Sequence, residues 1–134
     1  MNIGVLNIAT IITMPNPYDK YLSKEDHLHR ACCDWLDLQF KGLHYTHPAN
    51  EGKRTSFEQH KAKALRMKPG VPDLLIFEPK GSFAGLAVEL KYGKNKPTAE
   101  QFAFLEQLGK RNWKTAIIYS IDNFIELVNE YMYQ

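Results

Sequence analysis

Three residues at the ends of two apolar runs could do chemistry. Asp73 stands at the mouth of "KPGVPDLLIF" (68–77), and Glu89 and Lys91 close "GLAVELK" (85–91). A carboxylate at the entrance to a buried strand is costly unless something pairs with it. Side chains alternate along a strand, so Leu86, Val88 and Leu90 face one way and Ala87, Glu89 and Lys91 the other. If the two runs pair side by side, Asp73 falls next to Glu89 at one end of the sheet. Adjacent carboxylates repel, and a divalent cation is the usual remedy. Oxygen-only donors suit Mg2+ or Mn2+, which keep several waters and also take substrate phosphate. Lys91 beside such an ion is placed to position or deprotonate an attacking water and to stabilise phosphate charge. The chemistry indicated is metal-assisted phosphodiester hydrolysis. Singly, each residue has a plainer reading: Asp73 caps the turn after Gly70, and Glu89 pairs with Lys91. The combination of G-V-P-D, E-L-K and a hairpin-length connection favours the metal site.

The elements that must position these residues follow from pattern. "SKEDHLHRACCDWLDLQF" opens on Ser23 with Asp26 three residues on, a capping-box pattern, and reads as a helix. Its inner face runs through Leu28, Cys32, Trp35, Leu36 and Gln39, and counting back three from Leu28 adds Glu25. "LHYTH" is a short strand and "PANEGK" a loop. "TSFEQHKAKALRM" is a second helix, opened by Thr55 and Glu58 and closed by Arg66, Lys68 and Pro69-Gly70. "DLLIF" and "GLAVELK" form an antiparallel pair. "TAEQFAFLEQLGKRN" is a helix, "TAIIYS" a strand and "DNFIELVNEYMY" a closing helix. With the second helix set aside as an insertion, the order from Ser23 to Ser120 is αβββαβ, then a final helix. That order predicts an α/β domain with a mixed central sheet flanked by helices. The first fourteen residues lack a basic leader pattern and are too short to span a membrane, so a peripheral strand or loose tail is expected. Residues 1–20 are read as an extension and 21–134 as the domain.

"PD" followed after fifteen residues by "ELK" resembles the PD-(D/E)xK nuclease signature. "HPANEGKR" (47–54), "KPGVPDLLIF", "GLAVELKYGKNKPTAEQ" (85–101) and the acid in "KEDHLH" resemble one branch of it, the VRR-Nuc (virus-type replication-repair nuclease) family. The likeness runs from about Leu22 to the C-terminus and implies a restriction-endonuclease-like fold, in agreement with the αβββαβ order. It implies that Asp73 and Glu89 are the central metal ligands, with the Leu90 carbonyl a third, and that Lys91 is the motif lysine. Glu25 matches the family's first-helix acid, binding or orienting a metal through water, although a first-turn acid also serves the helix dipole. Gln101 matches the glutamine that follows the lysine, and Thr98 to Gln101 is also a T-x-x-Q capping box. Both roles can hold, because a helix N-terminus also attracts phosphate. Asn50 and Glu51 are family-marked, without a mechanism that the residues themselves reveal.

Net charge is only +2 over 134 residues, so nucleic-acid binding has to come from local clustering. Lys53, Arg54 and Lys68 around the second helix, with Lys94 and Lys96 past the motif, suit contacts to DNA phosphates. Lys61, Lys63 and Arg66 add charge to that helix. His27 and His29 face apart on a helix, and His44 and His47 lack a cysteine or third histidine at metal spacing, which argues against a zinc site. Phe124, Tyr131 and Tyr133 read as packing or interface residues. Adjacent Cys32 and Cys33 suit neither a disulfide nor zinc, so a reducing, cytoplasmic setting is expected; a phage or bacterial origin is an expectation that goes with the resemblance.

The function expected is a divalent-metal-dependent DNA endonuclease. By resemblance, small members act on branched DNA such as four-way (Holliday) junctions in DNA repair. Two coordinated cuts in a symmetric junction favour a homodimer. The competing expectations are a catalytically silent DNA-binding protein on the same fold and a restriction-like nicking nuclease.

Overall fold

The structure is a computed structural model, and it describes residues 16–48 and 54–134. The expectations for the first fourteen residues, and for Asn50, Glu51, Gly52 and Lys53, lie outside the described residues.

Among the described residues, four helices and four strands follow in the order α1 (Lys24–Gln39), β1 (Tyr45–Thr46), α2 (Ser56–Ala64), β2 (Leu74–Ile76), β3 (Gly85–Leu90), α3 (Ala99–Gly109), β4 (Trp113–Ile118) and α4 (Ile121–Met132). The sheet order is β1-β2-β3-β4. β1 and β2 pair antiparallel, as do β2 and β3, whereas β3 and β4 are parallel and joined by the α3 crossover. This is the restriction-endonuclease-like αβββαβ core with α2 inserted between β1 and β2. A 3-10 turn, Pro17–Tyr21, precedes α1 and is tied to it by Arg30 and Asp19 at 2.6 Å.

The alternation in β3 sorts the layers. Leu86, Val88 and Leu90 enter one core with Leu74 and Ile76 of β2, Cys32, Trp35 and Leu36 of α1, and Phe124, Val128 and Tyr131 of α4. All of these side chains are buried, and each large one contributes about 1.5–3 kcal/mol from the surface removed from water. Phe124 and Tyr131 are therefore packing residues, and Tyr131 also donates its hydroxyl proton to the Glu78 carbonyl at 2.6 Å. Tyr133 is exposed. Glu89 pairs in register with Ile117 on β4, on the face opposite that core. Thr115 and Ile117 on that face share a groove with Phe102 and Leu105 of α3. The sheet is thus covered by α1 and α4 on one side and by α3 on the other.

Local chemistry sets the helix ends. Ser23 and Asp26 make a reciprocal capping box on α1, and Thr98 and Gln101 make another on α3. Thr55 caps α2 by accepting from the Glu58 N–H. α2 is shorter than its sequence pattern suggests. It stops at Ala64, Arg66 takes a left-handed conformation (φ 60°), and the Met67 N–H bonds back to the Ala62 carbonyl. The Arg66 guanidinium donates to the Ala64 carbonyl at 2.8 Å, which commits that charge to the helix end. β4 begins two residues earlier than expected, because all six residues from Trp113 pair with β3. Gly85 is where Trp113 crosses the partner strand: a Cβ there would lie 2.5 Å from the indole ring.

Among the described residues, no helix is long and apolar enough to cross a membrane.

Candidate active site

Register brings the two carboxylates together. Leu74 pairs with Val88, so one step further along the antiparallel ladder Asp73 comes opposite Glu89. Residues opposite one another on such a ladder have Cβ atoms about 5 Å apart. Both carboxylates are nearly inaccessible, with Asp73 6% and Glu89 1% exposed. Asp73 is anchored by the backbone, since the Leu90 N–H donates to its Oδ2 at 2.7 Å. Lys91, itself buried, places its ammonium 3.6 Å from Glu89 Oε1, and its N–H donates to the Ile118 carbonyl on β4. Asp73, Glu89, Leu90 and Lys91 therefore share one end of the sheet.

Two helices close on that end. Gln101 is buried in the first turn of α3, where its Oε1 accepts from the Thr98 N–H at 2.8 Å. Gly70, in the loop leading to Asp73, touches the same turn. A Cβ at Gly70 would lie 2.6 Å from the Glu100 carbonyl group and 2.8 Å from the Gln101 nitrogen, and its φ of +80° also requires glycine. The G-V-P-D segment is thereby held against the first turn of α3, which carries Gln101.

Glu25, half-buried, lies in the first turn of α1. Its neighbour Lys24 places its ammonium 5.4 Å from the centre of the Tyr92 ring, just past the motif lysine. His29, one turn further along the face of Glu25, meets Asp73 itself. Both observations put the first turn of α1 beside the site.

The histidines depart from expectation. Spacing along the chain gave no grouping, yet the fold gathers His29, His47 and Asp73, with one ligating atom of each within 4.8 Å of the others. The rings of His29 and His47 meet edge to face with centroids 4.4 Å apart, and His47 Nδ1 donates to the Asp73 carbonyl at 2.7 Å. Burial of His29, then the neighbouring His47, holds its pKa below the usual histidine value, against an opposing pull from Asp73 and Asp26. The histidine spacings carry no sign of this grouping; the sequence signal that would have found it is the i, i+4 spacing of Glu25 and His29, which puts both on one side of α1.

Lys68, Lys94 and Lys96 are exposed and Arg54 is half-buried. Arg54, Lys63, Met67 and Pro69 border a groove on α2 that continues toward the loop carrying Asp73.

A mixed sheet in this order, with buried Asp, Glu and Lys at one end, defines a nuclease-type α/β domain of the PD-(D/E)xK class. A solved structure described as a "VRR_NUC domain protein" matches it with a TM-score of 0.71 and 28% sequence identity, over 84% of this chain and 90% of that one. No family model and no curated protein matches. The motif phrases in the same order on the same fold support the resemblance of this chain to the VRR-Nuc family.

Proposed function

We propose that the chain is a divalent-metal-dependent DNA endonuclease that hydrolyses phosphodiester bonds, with residues 21–134 as its nuclease unit. The observation that carries this reading is the pair of buried carboxylates, Asp73 and Glu89, side by side with Lys91 at one sheet end. Such a pair is expensive to bury without a cation, and its all-oxygen donor set fits Mg2+ or Mn2+. Asp73, Glu89 and the Leu90 carbonyl would hold the ion, with Glu25 reaching it through water. Bound there, it would supply Lewis-acid polarisation of the scissile phosphate and a more acidic water.

The side chains have separate tasks. Lys91 orients the attacking water and offers positive charge to the phosphoryl oxygens. Gln101 holds the α3 N-terminus in place, so that its free N–H groups face incoming phosphate. Lys53, Arg54, Lys68, Lys94 and Lys96 grip the backbone of the substrate on either side. Family likeness favours branched DNA, such as a four-way junction in repair, and a homodimer that makes paired cuts.

The test is cleavage of matched duplex, flap and four-way DNA in Mg2+ or Mn2+, with Asp73→Asn alongside. Metal-dependent cutting by the wild type alone supports the nuclease, and the preferred substrate decides between junction resolution and general or nicking activity. Tight DNA binding without cutting of any substrate would replace this reading with a silent DNA-binding protein.

A further inference from the structure

His29, His47 and Asp73 come from three separate parts of the chain, namely α1, the residue after β1 and the residue before β2. Their convergence is a product of the fold. A carbonyl can only accept a hydrogen bond, so His47 Nδ1, 2.7 Å from the Asp73 carbonyl, must carry the proton. In the neutral ring the lone pair then lies at Nε2. A ring nitrogen that donates to a backbone carbonyl while the other stays basic is how metal-binding histidines are oriented. The Asp73 carboxylate is likewise steadied, by the Leu90 N–H at its Oδ2. Each of the two groups is thus fixed through a hydrogen bond that leaves donor capacity for a ligand.

We infer that His29, His47 and Asp73 form a second metal position, one that takes an imidazole-preferring divalent transition ion such as Zn2+ or Co2+. Two imidazoles and one carboxylate are the donor set of open zinc sites, which keep a place for water or a substrate oxygen. Mg2+ prefers oxygen alone and gains little from nitrogen donors. The chain therefore offers two donor sets that meet at Asp73. One is all oxygen, with Glu89; the other is rich in nitrogen, with the two histidines. Which divalent ion the protein responds to then depends on the histidines as well as on the motif carboxylates. This inference shares Asp73 with the proposed nuclease site and otherwise stands apart from it.

The test uses the full chain, stripped of metal and titrated with Co2+ while visible absorption is followed, with Zn2+ as competitor. The wild type is expected to bind one Co2+ with nitrogen-ligand bands that Zn2+ abolishes and excess Mg2+ does not. His29→Gln and His47→Ala should each weaken this binding by at least about tenfold, the scale expected when a metal site loses a supporting group or more. Glu89→Gln should keep the bands. Circular dichroism melts without metal check that each variant is folded, and exposed His47 makes its replacement the safer one. Absent bands in the wild type, or equal Co2+ affinity in folded His47→Ala, would overturn the inference. The two readings fail separately. DNA cleavage in Mg2+ without histidine-dependent Co2+ binding removes only the second position. Histidine-dependent binding with no cleavage in any metal removes only the nuclease.

Discussion

Asp73→Asn and Asp73→Ala, taken together, separate the role of the charge from that of the hydrogen bond. In the native chain the buried Leu90 N–H donates to Asp73 Oδ2 at 2.7 Å. A hydrogen bond to a charged acceptor contributes about 1.5–3 kcal/mol, and a neutral one about 0.5–1.5 kcal/mol. Asparagine keeps an oxygen for that N–H and so loses about 1 kcal/mol, while removing a negative charge next to Glu89, which works in the other direction. The net change in stability is expected to stay within about 1 kcal/mol. Alanine leaves the Leu90 N–H buried without an acceptor, at a cost of about 1–3 kcal/mol. The melting temperature of the alanine variant should fall several degrees below that of the asparagine variant, at roughly 4 °C per kcal/mol for a domain of this size. Cleavage of four-way DNA in Mg2+ should be lost in both. Thermal melts in chelator and in Mg2+ complete the experiment, with metal raising the wild-type transition and leaving the asparagine variant where it was. Near-normal cutting by Asp73→Asn would refute the metal assignment. An unfolded asparagine variant would show instead that the carboxylate is structural.

Lys91→Ala should lower turnover by about 10²–10⁴, the scale of a lost proton-transfer or orienting group, with little change in Mg2+ affinity by calorimetry. Normal hydrolysis would remove its assigned role. Gln101→Ala should cost about 1 kcal/mol of stability through the lost capping box, whereas Gln101→Glu keeps the box; a cleavage defect in the folded glutamate variant would show that the amide matters beyond capping. Gly70→Ala combines a left-handed conformation with a 2.6 Å backbone clash, so destabilisation above about 2 kcal/mol is expected in denaturant melts, together with reduced cutting. An alanine variant as stable as the wild type would mean the loop can part from α3. Burial is the main force that pushes the Cys33 thiol up to about 11, so iodoacetamide should modify it at least about tenfold more slowly in the native protein than in urea.

The parts of the fold legible in sequence were those governed by local chemistry. Alternation in "GLAVELK" assigned Glu89 and Lys91 to the face opposite the main core, and the S-x-x-D and T-x-x-Q boxes located two helix starts. The pairing of "DLLIF" with "GLAVELK" was also readable, because both runs are apolar and a short turn region joins them. Features decided at long range were not. Nothing local marks Arg66 as left-handed, since a non-glycine residue rarely adopts that conformation, and so α2 seemed to extend past Ala64. The early start of β4 depends on its parallel partner, which no local pattern reveals. The meeting of His29 with His47 required knowing that the first turns of α1 pack against the mouth of β2. Separation along the chain is a poor guide to metal sites in a fold that joins distant segments at one sheet end.

The contact at Gly70 also bears on how such a site can vary. Elsewhere around the carboxylates, one side chain could yield to a smaller or larger one and the neighbours could repack. Here backbone rests against backbone, with no side chain on the Gly70 side to adjust. The distance from the Asp73 loop to the first turn of α3 is consequently insensitive to amino-acid choice, provided position 70 stays glycine. Lengthening or shortening the α2–β2 connection is accommodated only on the α2 side of this contact. Variation in length is thereby channelled to α2 and its loops, while the end of the sheet that carries Asp73 and Glu89 keeps its dimensions.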